Sequence, residues 1–210
     1  AECETIVTSA DPLDPLSTIP NQIKLLPPTV PLPTDERGNG FSIATFNMLI
    51  NEWFAAKYYR HDTPSAVRAW EQRSVLMQQL LRGMSPDILC VQEGNGNTFD
   101  DDFGFMDGLG YSHVKYSKPF RMPMVTFWRR SKLTLLREKS ANRTVVTVFQ
   151  TNTTTAGSGD ETEHEQPKSR IFAVVNCHLS AGEHGGAPRK RLQQIVDGCE
   201  TARKELAKAV

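Results

Sequence analysis

Length and charge already limit what this chain can be. It has 210 residues, of which 24 are Lys or Arg and 24 are Asp or Glu, so its formal net charge is zero. With 39% hydrophobic and 23% charged residues, the composition is typical of a folded globular protein and excludes a disordered polyelectrolyte. The balanced charge also removes any argument for nucleic-acid binding from bulk electrostatics. The length corresponds to one domain or slightly more, at roughly 100–200 residues per domain.

Membrane and secretion signals are not expected from the sequence. No stretch approaches the roughly 20 apolar residues that span a bilayer. The first residues lack the basic start and apolar core of a signal peptide. The four cysteines stand at no metal-ligand spacing, and Cys90 and Cys177 lie in apolar, strand-like runs. Together these features favour reduced thiols and an intracellular, cytoplasmic location.

The first part of the chain differs in composition from the rest. Residues 1–40 hold seven of the 13 prolines. Because proline lacks a backbone N–H and restricts the residue before it, this segment is predicted to be an extended leader or linker. A regular pattern begins at Phe41, and we predict one partial domain over 41–210.

From Phe41 onward, predicted strands mix with helices. A buried strand covers 42–49, an aromatic-rich loop covers 51–62, and Thr63-Pro64 is typical of a helix N-terminus. The apolar residues of that helix recur at three- and four-residue spacing as far as Gly83, where a stop is predicted. Further apolar or β-branched runs predict six more strands. They cover 87–92, 111–116, 124–129, 132–137, 144–150 and 171–177.

The last third of the sequence predicts a polar loop over 151–168 and a helix from Pro188 onward. Apolar spacing predicts the buried face of that helix. Its expected members are Leu192, Ile195, Cys199, Ala202 and Leu206. The mixture of helices with clustered hairpin-type strands favours an α/β (α+β) fold, a layered sandwich.

Three polar side chains share one kind of position in this pattern. Asn47, Glu93 and His178 each stand where an apolar strand ends. Side chains at strand ends in open α/β sheets converge on the edge where ligands bind. A carboxylate there is a natural Mg²⁺ ligand, since Mg²⁺ keeps several waters and takes one or two protein carboxylates. An imidazole can hydrogen-bond a phosphate oxygen or move a proton, and an amide can orient either partner.

Each of these residues also has a simpler interpretation, which the pattern alone leaves open. Asn47 can be a turn residue, Glu93 a solvated strand end, and His178 a partly buried histidine with structural partners. The combination of four sequence blocks favours the functional interpretation.

These blocks are ATFNML, then WEQR leading through a helix to SPDILCVQE, then MVTFWRRSKL, then FAVVNCHLS followed by RLQQ. In this order and at these distances they resemble the endonuclease/exonuclease/phosphatase superfamily, most closely its deadenylase-like, nocturnin-related branch. The resemblance runs from about Phe41 to the end of the chain, and PDILCVQE with VVNCHLS is its specific part. The positions that match the branch are Trp70, Arg73, Phe127, Trp128, Asn176, His178, Leu179, Arg191 and Gln194.

The resemblance implies a sandwich of two mixed β-sheets flanked by helices, and a role for each matching residue. Glu93 matches the principal Mg²⁺ ligand, with Mn²⁺ as an alternative metal, and Asn47 matches the asparagine that supports the metal and the scissile phosphate. His178 matches the histidine that contacts the phosphate and protonates the leaving oxygen. Asn176 and Arg191 match substrate-binding positions.

The implied reaction is metal-assisted attack of water on a phosphodiester. The branch to which the sequence is most similar shortens poly(A), so the expected substrate is single-stranded RNA degraded from its 3′ end. A phosphatase or a lipid-headgroup phosphodiesterase of the same superfamily is the first alternative. A non-catalytic, degenerate binding module is the second. The sequence gives no indication of oligomeric state.

Two blocks of the superfamily do not occur in this sequence. Members continue past the Arg-x-x-Gln helix to Gly-Asp-x-Asn and Ser-Asp-His blocks, whereas Gly159-Asp160 here is followed by Glu-Thr in the polar loop. We therefore expect that the C-terminal third of the domain is missing from this chain. We also expect the 210-residue chain alone to be inactive and marginally stable, because an uncovered sheet exposes apolar surface.

Overall fold

The computed structural model describes residues 41–49, 69–116, 123–152, 169–182 and 184–210. The predictions for the segment 1–40, for the Thr63-Pro64 helix start and for most of the polar loop lie outside these ranges. The strands are β1 (Ile43–Asn47), β2 (Ile88–Gln92), β3 (Tyr111–Lys115), β4 (Val125–Arg129), β5 (Leu133–Ala141), β6 (Thr144–Thr151) and β7 (Ile171–Cys177). The helices are α1 (Trp70–Met84), α2 (Phe99–Phe103), α3 (Phe105–Gly108) and α4 (Ala187–Ala207).

The strands form two sheets. The first has the order β1-β2-β4-β3, with β1 and β2 parallel and the other pairs antiparallel. The second has the order β5-β6-β7 and is antiparallel in both described pairs. The predicted sandwich of two sheets with flanking helices is confirmed, with a mixed first sheet and an antiparallel second sheet.

The two inner strands of the first sheet, β2 and β4, are buried on both faces, whereas β1, predicted to be a buried strand, is exposed on one face, with Ile43 54% exposed. Along β2, Ile88 and Cys90 pack in the cluster between the two sheets, whereas Leu89 and Val91 pack in a cluster with the helices. This division follows from the alternation of side chains along a strand. A strand covered on both faces has apolar residues at successive positions, which is why β2, ILCVQ, does not alternate between apolar and polar residues.

Helices α1, α2 and α3 cover the outer face of the first sheet. Leu81 of α1 and the aromatic rings of Phe99 and Phe103 join the same cluster as Phe127 of β4. Burial of these rings explains the aromatic spacing of the 99–105 segment. Helix α1 ends at Met84, one residue after the predicted stop, and Ser85 closes it in the left-handed conformation with φ 45°.

Helix α4 packs on the outer face of the second sheet, but with a different face from the one predicted. Leu192 is 62% exposed and Ile195 is 42% exposed, and Cys199 is exposed as well. The buried residues of α4 are instead Gln194, Gly198, Ala202 and Glu205. The apolar-spacing prediction was therefore wrong for Leu192, Ile195 and Cys199 and correct for Ala202.

Specific contacts explain why polar and small residues are buried on α4. A Cβ placed on Gly198 would lie 3.0 Å from Cγ1 of Val175, so a side chain here would require Val175 to shift. The Glu205 carboxylate accepts from Arg137 Nε at 2.7 Å and from Lys208 Nζ at 2.6 Å. A buried carboxylate with two cationic partners retains its charge.

None of the helices in the described ranges is long and apolar enough to cross a membrane.

Candidate active site

Three strand ends place the predicted residues at one edge of the sandwich. Strands β1 and β2 are parallel neighbours, with Asn47 paired to Gln92, so Asn47 and Glu93 leave the first sheet side by side. His178 follows β7 of the second sheet. Its backbone N–H donates to the Arg143 carbonyl at 3.1 Å, which fixes it beside the β5–β6 turn.

The side chains of these residues meet at one carboxylate oxygen. Asn47 Nδ2 donates to Glu93 Oε1 at 3.1 Å. His178 Nε2 lies 3.0 Å from the same Oε1, and the Glu93 and His178 side chains are each 16% exposed. The second carboxylate oxygen, Oε2, has no partner among the described residues. The arrangement therefore holds a carboxylate by two side chains and leaves one of its oxygens able to bind a ligand.

The backbone at this edge adopts conformations that the sequence does not reveal. Glu93 has φ 55° and Leu49 has φ 54°, both in the left-handed region that glycine normally occupies. The Leu49 N–H donates to Asn47 Oδ1 at 3.0 Å, and Gly94 N–H donates to the Pro123 carbonyl at 3.1 Å. Non-glycine residues in this region are rare and concentrate at functional sites, where surrounding contacts hold them.

Helix α1 anchors the chain segment that carries Asn47. Arg73 donates to the carbonyls of Met48 and Leu49 at 3.0 Å each, and its guanidinium lies 5.3 Å from the Trp70 ring centroid. A guanidinium that bridges two carbonyls fixes the turn after β1. Arg73, which matched the resemblance, therefore holds the turn after Asn47, and Trp70 packs against its guanidinium.

Asn176 lies buried between the two sheets. It is 2% exposed. Its Nδ2 donates to the carbonyls of Val91 at 3.2 Å and Val125 at 2.9 Å, and its Oδ1 accepts from Gln92 Nε2 at 2.8 Å. The amide is therefore buried between the sheets and its hydrogen bonds are made to protein groups; the substrate-binding role of Asn176 stays a prediction.

Arg191 is engaged with the loop that follows His178. Its Nη1 donates to the carbonyl of Ser180 at 3.3 Å and to the carbonyl of Gly182. The Ser180 N–H in turn donates to Gln194 Oε1 at 3.0 Å. These contacts give Arg191 a loop-holding role in the structure. Its contact with substrate stays a prediction.

The turn between β5 and β6 belongs to the site, although sequence analysis did not identify it. Asn142 and Arg143 both have positive φ, of 48° and 63°. The Arg143 N–H lies 3.4 Å from the Tyr116 hydroxyl, and the Arg143 carbonyl receives the His178 N–H. Asn in a left-handed position between two strands is a turn signal that could have placed this residue pair at the edge.

The thiol next to His178 is not a candidate nucleophile. Burial raises the pKa of Cys177 above its ordinary value, and the neighbouring Cys199 raises it further. Burial likewise raises the pKa of Cys90 to about 11. Both thiols therefore remain protonated near neutral pH, and only the thiolate is strongly nucleophilic.

The donor set fits a hard cation better than a structural transition metal. Among the described residues, no group of three or more His, Cys, Asp or Glu side chains could hold a metal by itself. Zinc sites require three or four such ligands. A single partly exposed carboxylate with an amide beside it is instead the kind of partial shell that Mg²⁺ completes with water and substrate oxygens.

Two of three comparisons with known proteins found similar proteins. No protein-family model matches the sequence. The CCR4-Not complex 3′-5′-exoribonuclease subunit Ccr4 of Saccharomyces cerevisiae is 29% identical over 88 residues, which are 41% of this chain and 10% of that protein. The crystal structure of ANGEL2, a 2′,3′-cyclic phosphatase, superposes with a TM-score of 0.60 at 18% identity, over 74% of this chain and 46% of that one.

A bacterial structure shows the same architecture. An endonuclease/exonuclease/phosphatase family protein from Bacteroides thetaiotaomicron matches with a TM-score of 0.52 at 15% identity, over 80% of this chain and 59% of that one. In each of these comparisons the chain spans less than two thirds of the known protein. The chain therefore has the two-sheet fold of the endonuclease/exonuclease/phosphatase proteins, and part of its sequence is similar to their deadenylase-like branch.

Proposed function

We propose that the chain forms part of the catalytic domain of a Mg²⁺-dependent phosphodiesterase that degrades single-stranded RNA from the 3′ end. The observation that carries this proposal is the meeting of Asn47, Glu93 and His178 at one carboxylate oxygen, with separations of 3.1 and 3.0 Å. A carboxylate can hold a divalent cation and an imidazole can move a proton, which are two of the contributions that a protein makes to metal-assisted phosphodiester hydrolysis.

Each residue has a distinct task in this proposal. The Glu93 carboxylate would hold Mg²⁺ (or Mn²⁺), which when bound supplies charge stabilisation to the phosphoryl oxygens. Asn47 orients that carboxylate through its Nδ2 contact. The Nε2 atom of His178 faces the same carboxylate. The Nε2 proton would pass to a phosphate oxygen or to the leaving oxygen when substrate replaces Glu93 Oε1 as its partner.

The RNA part of the proposal rests on sequence similarity. The Saccharomyces relative is a 3′-5′-exoribonuclease subunit, and the aligned residues cover 41% of this chain. Net charge is zero, so any attraction of RNA depends on local cations. A second candidate, hydrolysis of a terminal 2′,3′-cyclic phosphate, comes from the ANGEL2 structure, which shares the fold.

The test compares substrates on the natural protein that contains these residues, with the 210-residue chain assayed alongside. Three probes are incubated with Mg²⁺ or with EDTA: oligo(A) with a free 3′ hydroxyl, the same oligomer ending in a 2′,3′-cyclic phosphate, and phosphoinositide vesicles. The proposal predicts stepwise shortening of the first probe, abolished by EDTA. Conversion of only the cyclic phosphate would replace the nuclease by the second candidate.

A matched pair of carboxamide variants ties the activity to the site. Glu93→Gln removes the charge at the proposed centre, and Glu138→Gln makes the same chemical change at an exposed position on β5. We expect loss of turnover only for Glu93→Gln. Binding of oligo(A) without any metal-dependent turnover in the natural protein would instead identify a non-catalytic binding module.

A further inference from the structure

Hydrogen-bonded polar side chains on three strands precede the residues of the proposed centre; Gln92 and Asn176 are buried, whereas Thr45 is exposed. Gln92 is 9% exposed and Asn176 is 2% exposed. Gln92 Nε2 lies 2.8 Å from Asn176 Oδ1 and 3.1 Å from Thr45 Oγ1. These three residues, here called the inter-sheet network, belong to β2, β7 and β1.

The network joins the two sheets by directional bonds. Asn176 stands on β7 of the second sheet, and its Nδ2 donates to the carbonyl of Val91 on β2 and to that of Val125 on β4, both in the first sheet. Both amide atoms of Asn176 thus have partners in the opposite sheet. The surrounding contacts between the sheets are apolar, and apolar burial is not directional. Hydrogen bonds of 2.8–3.2 Å restrict the relative position of the two sheets more than apolar contacts do.

Each member of the network lies next to a member of the proposed centre. Thr45 is two residues before Asn47, Gln92 immediately precedes Glu93, and Asn176 is two residues before His178. The Glu93–His178 contact spans the same two sheets, because Glu93 follows β2 and His178 follows β7. A shift of one sheet against the other would separate these two side chains.

We propose that the inter-sheet network is a positioning device, in which Gln92 and Asn176 set the separation of Glu93 and His178. We assign Gln92 and Asn176 a positioning role because both side chains are buried. The expected effect of network variants on turnover rests on the proposed function. Its effect on geometry can be measured without substrate or metal.

The experiment is a double-mutant cycle measured in two backgrounds. Glu93→Ala, His178→Ala and the double variant are unfolded in urea, which gives the coupling between the two side chains. The cycle is repeated in Asn176→Leu, which keeps a buried side chain of similar size and removes the amide. We expect coupling in the original chain and its loss in the Asn176→Leu background.

Val148→Ala is the matched control background. Val148 lies on β6 of the second sheet and is 0% exposed, so its truncation destabilises the sandwich without removing a network bond. Coupling that persists in Val148→Ala and disappears in Asn176→Leu supports the proposal. Coupling that survives in Asn176→Leu, that is lost in both backgrounds, or that is absent from the original chain overturns it.

Two further measurements keep the proposal testable if one variant does not fold, and separate its failure from failure of the proposed function. Gln92→Met removes the amide on the partner side and tests the same prediction if Asn176→Leu does not fold. In the natural protein, Asn176→Leu is expected to lower kcat by about 100-fold with little change in KM, since small misplacements of reacting groups have effects of this size. Turnover that does not depend on Glu93 contradicts the proposed function, whereas unchanged coupling contradicts the network.

Discussion

Replacement of Gly198 by alanine tests how closely α4 is seated on the second sheet, and hence the support of the loop that carries His178. A Cβ at this position would lie 3.0 Å from Val175 Cγ1 and 3.3 Å from Thr144 Cγ2. Two effects then oppose each other. Alanine is more favourable than glycine inside a helix by about 0.8–1 kcal/mol, whereas added volume in a packed core costs about 1–3 kcal/mol.

At this position the cost of steric crowding should exceed the gain in helix propensity. Val175 and Thr144 are β-branched residues on neighbouring strands, so their side chains have few alternative rotamers with which to yield. We expect Gly198→Ala to lower the free energy of unfolding by about 1 kcal/mol, the midpoint of the two opposing ranges. Gly198→Val should lower it further. Urea unfolding followed by circular dichroism measures both changes.

Gly108→Ala provides the control for helix propensity. A Cβ at Gly108 meets no atom within 4 Å, so this variant should be as stable as the original chain or slightly more stable. If Gly198→Ala stabilised the protein by the full propensity difference, the close approach of α4 to Val175 would be refuted. The support of the His178 loop by α4 would then need another explanation.

Two further predictions concern titration and thiol reactivity. Hydrogen bonds from Lys208 and then Arg137 hold the pKa of Glu205 at about 2, below its ordinary value of 4.5. The stabilisation from this carboxylate is therefore present above pH 4.5 and lost as the pH falls towards 2, so Glu205→Gln should flatten the acid limb of a stability profile measured by thermal unfolding. In native protein, a thiol reagent should modify the exposed Cys199 much faster than the buried Cys90, as followed by mass spectrometry. Equal rates for the two thiols would contradict the packing of β2.

Most of the secondary structure in the described ranges could be predicted from the sequence, because strands such as β2 and β6 are mainly apolar or rich in β-branched residues. The runs 87–92 and 171–177 coincide closely with β2 and β7. Prediction of the face of α4 failed for a physical reason. Periodicity assumes that apolar side chains drive burial, whereas here Gly198 permits close approach and Gln194 bonds the Ser180 N–H. Contacts between distant segments decide this orientation.

Part of the candidate site could also be predicted from the sequence. Strand ends indicated that Asn47, Glu93 and His178 would share one edge, and the structure brings their side chains into contact. Their chemical roles stay predictions. The burial of Asn176 could not be predicted, because alternation along β7 does not say which face of the strand meets the other sheet. The left-handed conformation of Glu93 has no local signal at all, since a glycine or asparagine would normally mark it.

Non-additivity of two substitutions on turnover tests the central claim most directly. The claim is that Glu93 and His178 act in one centre, and groups that act as a unit lose most of their effect when either is removed. In the natural protein with Mg²⁺ and oligo(A), each alanine variant should lower kcat/KM by about 100-fold or more. The double variant should be no slower than the slower single variant. Independent, multiplying losses, or turnover unaffected by Glu93→Ala, would contradict the account.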